Sequence, residues 1–276
     1  MKKLILFGAL IIGSNLSAQT PGGGVTDVDG NNYNTVIIGN QEWMAENLRV
    51  GSYNNGDYIN VVEDGSIWYQ LNIPSACWYN NDSLSNVSTY GKLYNWYVVN
   101  DSRNVCPSDW RVPSDDDWDT LELFIVNSGF SGQDGKALKS TSGWNSNGNG
   151  TDNFGFNALP SGYRYDDNNS TYYSLGSMAY FWSSSNGINF DAMYRKLEDV
   201  ADTIRTNEGT AKYGFSIRCM KDYTGSGVGL IELYDEPKNL VKIVDLMGRE
   251  TEFKPNIPLI FIYSDGTRER VMKLEE

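Results

Sequence analysis

The reactive side chains available in this chain are carboxylates, tyrosines and cysteines, because its 276 residues include no histidine. Imidazole is the usual base near neutral pH and the commonest metal ligand in proteins. Its absence excludes a Ser-His-Asp or Cys-His nucleophile, a zinc site built on histidine and a haem histidine. Acid–base catalysis would therefore depend on Asp, Glu, Tyr or Lys.

Paired carboxylates are one catalytic arrangement that this composition still permits, since two of them can hydrolyse a glycoside. Adjacent acids occur at residues 115–117 and at Asp166 and Asp167. The first group opens a helical pattern, where negative charge is favourable, and the second precedes two asparagines in a turn-like segment. With 35 acidic residues in the chain, adjacent pairs are expected, so we predict no catalytic residue. An enzyme that uses carboxylates remains an alternative.

Residues 27–31 carry alternating oxygen side chains, as the start of a calcium-binding loop does. The sixth position of that loop would be Asn32 instead of glycine, and the twelfth would be Ile38 instead of glutamate. The pattern therefore fails, and Asp29-Gly30 predicts a tight hairpin turn instead. We predict no metal site and no cofactor.

A tyrosine-rich segment at residues 163–173 is the best candidate for a binding surface. Tyrosine offers a large contact area at a low entropy cost and can stack on sugar rings. The candidate ligand-binding residues are Tyr163, Arg164, Tyr165, Tyr172 and Tyr173. The alternative is a pair of edge strands whose tyrosines lie flat on the core, because strands also favour aromatic residues.

The N-terminus predicts a cleaved signal peptide over residues 1–18. Lys2 and Lys3 precede an apolar run at residues 4–12, and the segment ends in small residues at Ser17 and Ala18. A membrane span needs about 20 apolar residues, which is roughly twice the length of this run. We therefore expect a secreted or cell-surface protein that is exported via the periplasm.

The chain is strongly acidic. Its formal net charge is −13; removing Lys2 and Lys3 with the signal peptide leaves 20 basic residues against 35 acidic ones, or −15. Such a surface repels phosphate backbones and anionic lipid headgroups. We expect neither a nucleic-acid partner nor membrane insertion of the mature chain.

The clearest predicted element is a helix that begins after Ser114. Ser114 and Asp117 have the spacing of a capping box, in which each side chain accepts a hydrogen bond from the other residue's backbone amide. The helix should stop at Gly129. Its buried stripe is predicted by helical spacing to be Trp118, Leu121 and Ile125.

Other elements are predicted to be short. Residues 25–38 predict a hairpin, residues 90–99 a second helix, and residues 140–162, rich in Gly, Asn and Ser, long loops. Short strands are predicted at residues 180–183, 192–197, 203–205 and 215–220.

Two glycine-rich segments divide the chain into zones. After the signal peptide we predict a spacer at 19–24, a large domain at 25–222, a linker at 223–229 and a small β unit at 230–276.

The large zone resembles the Fibrobacter succinogenes major paralogous domain family. Six segments carry the resemblance, in the same order: TVIIGNQEWMAENLR (35–49), YGKLYNW (90–96), CPSDWRVPS (106–114), FNALPSGYR (156–164), YFWSS (180–184) and GFSIRCMKD (214–222). The resemblance implies an α+β, C-type-lectin-like fold with short strands, a few helices and long loops. It also implies a secreted or surface module of undetermined activity.

The three cysteines allow three pairings, and the lectin-like resemblance favours one of them. It implies a disulfide between Cys106, before the predicted helix, and Cys219, in the last strand of the large domain. Cys77 is then left over and is expected to be a small buried residue.

The C-terminal 47 residues resemble the sorting domain of the type IX secretion pathway of Bacteroidetes. The resemblance rests on NLVKIVDLMGRE (239–250), FIYSDGT (261–267) and VMK (271–273). It implies that the type IX secretion machinery is a partner of residues 230–276.

These observations favour a non-enzymatic binding module whose ligand is a glycan or a protein, bound through loops between residues 140 and 189. The alternatives are the carboxylate enzyme and a structural component of the cell surface.

Overall fold

The computed structural model of the chain describes residues 19–188, 191–223, 240–245, 249–252, 259–263 and 268–271. The predicted signal peptide at 1–18 and almost all of the predicted linker at 223–229 lie outside the described residues. The chain divides into two units, Met1–Thr224 and Gly225–Glu276. In the described ranges, no helix has the length and apolar character needed to cross a bilayer.

The first unit is a mixed α+β domain in which sheets predominate. Its strands are β1 Thr20–Pro21, β2 Val25–Thr26, β3 Asn32–Tyr33, β4 Thr35–Ile38, β5 Gln41–Met44, β6 Asn60–Val61, β7 Ser75–Cys77, β8 Leu93–Tyr94, β9 Ser161–Arg164, β10 Tyr172–Leu175, β11 Met178–Asn186, β12 Ala192–Glu198, β13 Arg205–Gly209 and β14 Met220–Asp222. Its helices are α1 Gly65–Gln70, α2 Ser83–Tyr90, α3 Trp96–Val99, α4 Asp115–Ile125 and α5 Asp134–Leu138, with a 3-10 turn at Tyr79–Asn81 and a π turn at Val126–Phe130.

The sheets bring together distant parts of the chain. The largest has the order β10-β9-β11-β12-β13, and its β9–β11 pair is parallel while the others are antiparallel. A second sheet has the order β1-β4-β5-β14, so the first and last strands of the unit belong to one sheet. Two smaller sheets, β2-β3 and β6-β7-β8, complete the domain.

The predicted capping box and buried stripe of α4 are confirmed. The Asp117 amide donates to the Ser114 hydroxyl, and the Ser114 amide donates to the Asp117 carboxylate at 2.8 Å. Trp118, Leu121 and Ile125 are buried. The α-helix ends at Ile125, and the π turn that follows carries Gly129 at φ 97°, a left-handed conformation that favours glycine. The predicted stop therefore lies just beyond the helix.

The helix predicted over residues 90–99 is present only in its last four residues, and the rest of the prediction is wrong. Gly91, at φ 73°, ends α2 instead, and the next residues form β8 before a short α3. The backbone amides of Lys92 and Tyr94 donate to the carbonyls of Leu48 and Phe215. Pairing with distant backbone thus outweighs the local apolar pattern that favoured a helix.

Other predicted elements are placed by the structure as follows. The hairpin is present as β2 and β3, and residues 139–160 form loops up to the start of β9. The strands predicted at 180–183 and 192–197 lie inside β11 and β12. The strands predicted at 203–205 and 215–220 are displaced. β13 begins at Arg205, and β14 begins at Met220 after isolated bridges at Phe215 and Ser216.

The segment predicted as a spacer is part of a sheet. β1 pairs with β4, and the amide of Gly23 donates to the buried carboxylate of Glu42 at 3.1 Å. This carboxylate also forms an ion pair with Lys221 at 3.1 Å, which ties the start of the domain to β14.

The cysteine pairing is confirmed. Cys106 and Cys219 form a disulfide with their Cα atoms 5.8 Å apart, and both residues are buried. The bond links the segment before α4 to the segment before β14. Cys77 is a free, buried cysteine.

The second unit contains a three-stranded antiparallel sheet of the order β15-β16-β17. Its strands are β15 Leu240–Val244, β16 Leu259–Tyr263 and β17 Arg268–Val271. Val244 and Leu259 are buried. Gly248 and Asp265-Gly266, whose sequence favours turns between these strands, lie outside the described residues.

Loss of the disulfide should reduce stability strongly, because the bond spans 113 residues. A crosslink over about 100 residues removes roughly 4–5 kcal/mol of chain entropy from the unfolded state. We expect the double variant Cys106→Ala/Cys219→Ala to lose about that much free energy of unfolding in urea titrations. Cys77→Ala is the control, with an expected loss of about 1 kcal/mol. Equal losses in the two variants would contradict the stabilising role of the crosslink.

Candidate functional site

The candidate site is an open depression of about 470 Å³ at one edge of the largest sheet. Tyr69 of α1 lines one part of it, and residues 165–168, from the loop between β9 and β10, line the rest. Tyr69 and Tyr165 are 50% and 38% exposed. Large exposed rings beside polar groups are typical of a surface that binds a ligand.

Tyrosine rings form a continuous surface beside this depression. Tyr165 stacks on Tyr213 with ring centroids 5.5 Å apart, and Tyr163 lies 5.7 Å from Tyr173 and 6.0 Å from Tyr213. We call Tyr69, Tyr163, Tyr165, Tyr173 and Tyr213 the tyrosine surface. Burial, followed by the neighbouring tyrosines, raises the pKa of Tyr163, so this ring carries a neutral hydroxyl.

The tyrosine surface continues a row of packed tyrosine rings that crosses the largest sheet. Tyr173 of β10, Tyr163 of β9 and Tyr180 of β11 follow one another at 5.7 and 4.7 Å, and Tyr194 of β12 lies 5.8 Å beyond Tyr180. These steps resemble the strand spacing of about 4.8 Å. Tyr180 is buried and Tyr173 is 45% exposed, so the row emerges from the core toward the depression.

Strand alternation separates the five residues predicted from the sequence. Tyr163 and Tyr165 lie on one face, where Tyr165 is exposed and Tyr163 is partly buried against the core, whereas Arg164 is fully buried on the opposite face. Because Tyr173 pairs with Tyr163 and Tyr172 pairs with Arg164, β10 follows the same division. The structure therefore brings Tyr163, Tyr165 and Tyr173 together and directs Arg164 and Tyr172 inward.

Arg164 must be removed from the candidate ligand-binding residues. Its guanidinium lies over the ring of Trp68 at 4.3 Å and donates to the carbonyls of Val62 and Glu63 at 2.5 and 3.0 Å. A side chain with no exposed surface cannot meet a ligand from solvent. The Tyr172 hydroxyl is likewise engaged, since it donates to the side chain of Asn81 at 2.5 Å.

Tyr69 is held in place by the residue beside it. Trp68 is buried, and its indole nitrogen donates to the Lys212 carbonyl at 2.8 Å. The Lys212 ammonium in turn donates to the Tyr69 carbonyl at 2.9 Å. This reciprocal pair fixes α1 beside the segment that carries Tyr213. Sequence reasoning missed Tyr69 and Tyr213 because no local pattern links them to residues 163–173.

The two acids in the depression have different environments. The Asp167 carboxylate accepts hydrogen bonds from the amides of Asn169 and Thr171 at 3.1 Å. Burial tends to raise the pKa of Asp167, but these bonds and one from the Thr171 hydroxyl lower it overall. Burial raises the pKa of Asp166, and a hydrogen bond from its own backbone amide, followed by Lys212, opposes that change. Asp167 therefore shapes the loop, while no other described residue donates a hydrogen bond to Asp166.

The acids at residues 115–117 serve α4, as predicted. Asp117 completes the capping box and forms an ion pair with Arg111 at 2.7 Å, and Asp115 pairs with the buried Arg195. Asp27 closes the hairpin turn, where its carboxylate accepts the amides of Asp29 and Asn31. Among the described residues, no group of three or more His, Cys, Asp or Glu side chains is arranged to hold a metal ion.

A family model with the description Fibrobacter succinogenes major domain matches residues 36–221, which is more than half of the chain. The chain belongs to this family. Comparisons with curated proteins and with solved structures found no match.

As a member of the Fibrobacter succinogenes major domain family, the chain carries the whole tyrosine surface inside the matched range, which begins in β4 and ends in β14. The disulfide between Cys106 and Cys219 also lies inside that range. The second unit lies beyond it.

The loop at the depression approaches α1 so closely that only glycine fits at position 65. A Cβ atom on Gly65 would overlap the amide nitrogen of Ser170 and lie 2.9 Å from the Asn168 carbonyl carbon. We expect Gly65→Ala to displace this loop and to lower the free energy of unfolding by about 1–3 kcal/mol, as overpacking usually does. Urea titration measures the loss.

Gly23→Ala is the matched control, because an added Cβ there would meet no atom within 4 Å. Equal stability of the two variants would show that the contact at position 65 is not tight.

Proposed function

We propose that this protein is a non-enzymatic binding module whose tyrosine surface binds glycans. The observation that carries the proposal is the open depression lined by Tyr69 and Tyr165, beside the exposed ring of Tyr173. Sugar rings have apolar faces that stack on aromatic side chains, and their hydroxyls pair with carboxylate and amide groups. Asp166 and Asn168 supply such groups in the same depression.

The carboxylate-dependent enzyme is the weaker alternative at this site. Hydrolysis of a glycoside needs two carboxyl groups that are free to act on opposite sides of one bond. In the depression, the Asp167 oxygens already accept hydrogen bonds from residues 169 and 171 of their own loop. A protein ligand and a structural role at the cell surface remain as alternatives, and glycan binding would distinguish the proposal from both.

We also propose that the first unit has a C-type-lectin-like arrangement. Three observations support this: its first and last strands share a sheet, the disulfide joins the segment before α4 to the segment before β14, and long loops occupy residues 139–160. In such an arrangement, loops carried by a compact base are available for ligand binding.

The export route is a further part of the proposal. The basic and apolar pattern of residues 1–18 supports secretion, and the sequence pattern of residues 230–276 supports delivery to the surface by type IX secretion machinery. The net charge of −13 disfavours nucleic acid and anionic membranes as partners.

Glycan binding should depend on the exposed rings of the depression. We expect Tyr69→Ala and Tyr165→Ala each to weaken binding by about tenfold, since an exposed stacking contact contributes roughly 1.4 kcal/mol. A glycan array identifies the ligand, and titration calorimetry measures the affinity.

Tyr58→Ala is the control, because Tyr58 is 86% exposed but does not line the depression. If the array stays blank, or if Tyr58→Ala weakens binding as much as Tyr165→Ala, the proposal is wrong.

The sorting proposal has its own test, in the cells that make the protein. Deletion of residues 230–276 should leave the first unit folded in the periplasm, because the machinery would lack its recognition element. Fractionation followed by immunoblotting locates the protein. Delivery of the truncated chain to the surface at the normal level would refute the role of this segment.

A further inference from the structure

The charge around the depression restricts which glycans it can take. Asp166 and Asp167 both line it, and Asp64 caps the N-terminus of the helix that carries Tyr69. Lys212 is the cation that acts on Asp166. Its ammonium also donates to the Tyr69 carbonyl and lies over the Tyr69 ring, with the nitrogen 5.4 Å from the centroid. The depression is therefore lined by two acids, with the single cation Lys212 held beside Tyr69.

Asp166 differs from its neighbour in what its carboxylate can offer. Asp167 uses its oxygens to hold the loop through residues 169 and 171. Among the described residues, no other residue donates a hydrogen bond to the Asp166 carboxylate, which accepts its own backbone amide and is half-buried at the wall of the depression. A desolvated carboxylate accepts strong hydrogen bonds from hydroxyl groups and strongly disfavours a second anion nearby.

We propose that the depression selects uncharged glycans over glycans that carry carboxylate or sulfate groups, and that Asp166 sets this preference. This inference rests on the proposed function. Neutral sugar hydroxyls donate to Asp166 while the sugar face stacks on Tyr69 or Tyr165. A uronate or sulfate in the same place would lie against Asp166 and beside Asp167, and the single charge of Lys212 does not balance these two carboxylates. The acidic chain as a whole, at −13, acts in the same direction.

The test compares each neutral polysaccharide with an anionic derivative of the same backbone. Suitable pairs are hydroxyethyl and carboxymethyl cellulose, dextran and dextran sulfate, and starch and carboxymethyl starch. Affinity electrophoresis or calorimetry at about pH 8, where carboxylates are ionised, gives the ratio of the neutral to the anionic affinity. The full-length secreted chain is used throughout.

We expect the wild-type ratio to favour the neutral polymer, and Asp166→Asn to lower the ratio about tenfold, because one unit charge at about 5 Å is removed. Asp166→Lys should lower it further or reverse it. Salt at about 1 M should shrink the wild-type preference, since the Debye length is then about 3 Å. Asp109→Asn is the control: it removes the same charge at an exposed position outside the depression, with a left-handed backbone that Asn also tolerates.

The outcomes separate the two proposals. If the anionic polymers bind as tightly as their neutral partners, and Tyr165→Ala weakens the binding of both, then glycan binding stands and the charge selection is wrong. An unchanged ratio in Asp166→Lys also overturns it. If no polymer and no array glycan binds, the proposed function itself fails.

Discussion

The tyrosine surface depends on one buried cation. The Arg164 guanidinium lies between the rings of Trp68 and Tyr172, and it donates to the carbonyls of the segment before α1. Burying a charge is expensive unless hydrogen bonds replace water, and the planar arginine fork can satisfy several carbonyls at once while stacking on aromatic faces. Arg164 thereby joins β9, β10 and α1. Its sequence neighbours, Tyr163 in β9 and Tyr165 directly after it, are thereby held on the opposite face.

Two other buried arginines also join segments that are distant in sequence. Arg195, 1% exposed, extends from β12 to three carboxylates on α4. Arg218 is also buried; it lies over the Phe156 ring at 4.3 Å and donates to the Asn47 side chain at 2.9 Å. Burial lowers the pKa of Arg218 to about 9, which still leaves it charged at neutral pH. A domain of short strands and long loops contains many backbone carbonyls that need a hydrogen-bond donor. Arginine has five N–H donors, so a few arginines can bond to many of these carbonyls.

Those nonlocal contacts explain which features could be predicted. The cap and buried stripe of α4 follow from residues within a few positions of one another, so the sequence was sufficient. The segment at 90–99 has an equally apolar pattern, but its backbone pairs with Leu48 and Phe215, which no local rule anticipates. At the site, the tyrosine-rich pattern grouped Arg164 with its two neighbours, whereas in the structure its side chain is buried on the opposite face. Tyr69 and Tyr213 required the fold, since the link between Trp68 and Lys212 that places them joins distant segments.

A shallow binding site benefits from exposed rings that the core beneath them holds in place. A shallow depression offers a ligand little burial, so its contacts must not be weakened by the entropy of ordering side chains. Tyr163 packs against the buried Tyr180 and Phe215 at 4.7 and 5.8 Å, and it supports Tyr165 and Tyr173 above. The outer rings are therefore held before a ligand arrives, by the same aromatic row that belongs to the core. Core packing therefore makes the tyrosine surface rigid. Asp166 contributes neither to the row of rings nor to the loop turn, so its charge is available to discriminate among ligands.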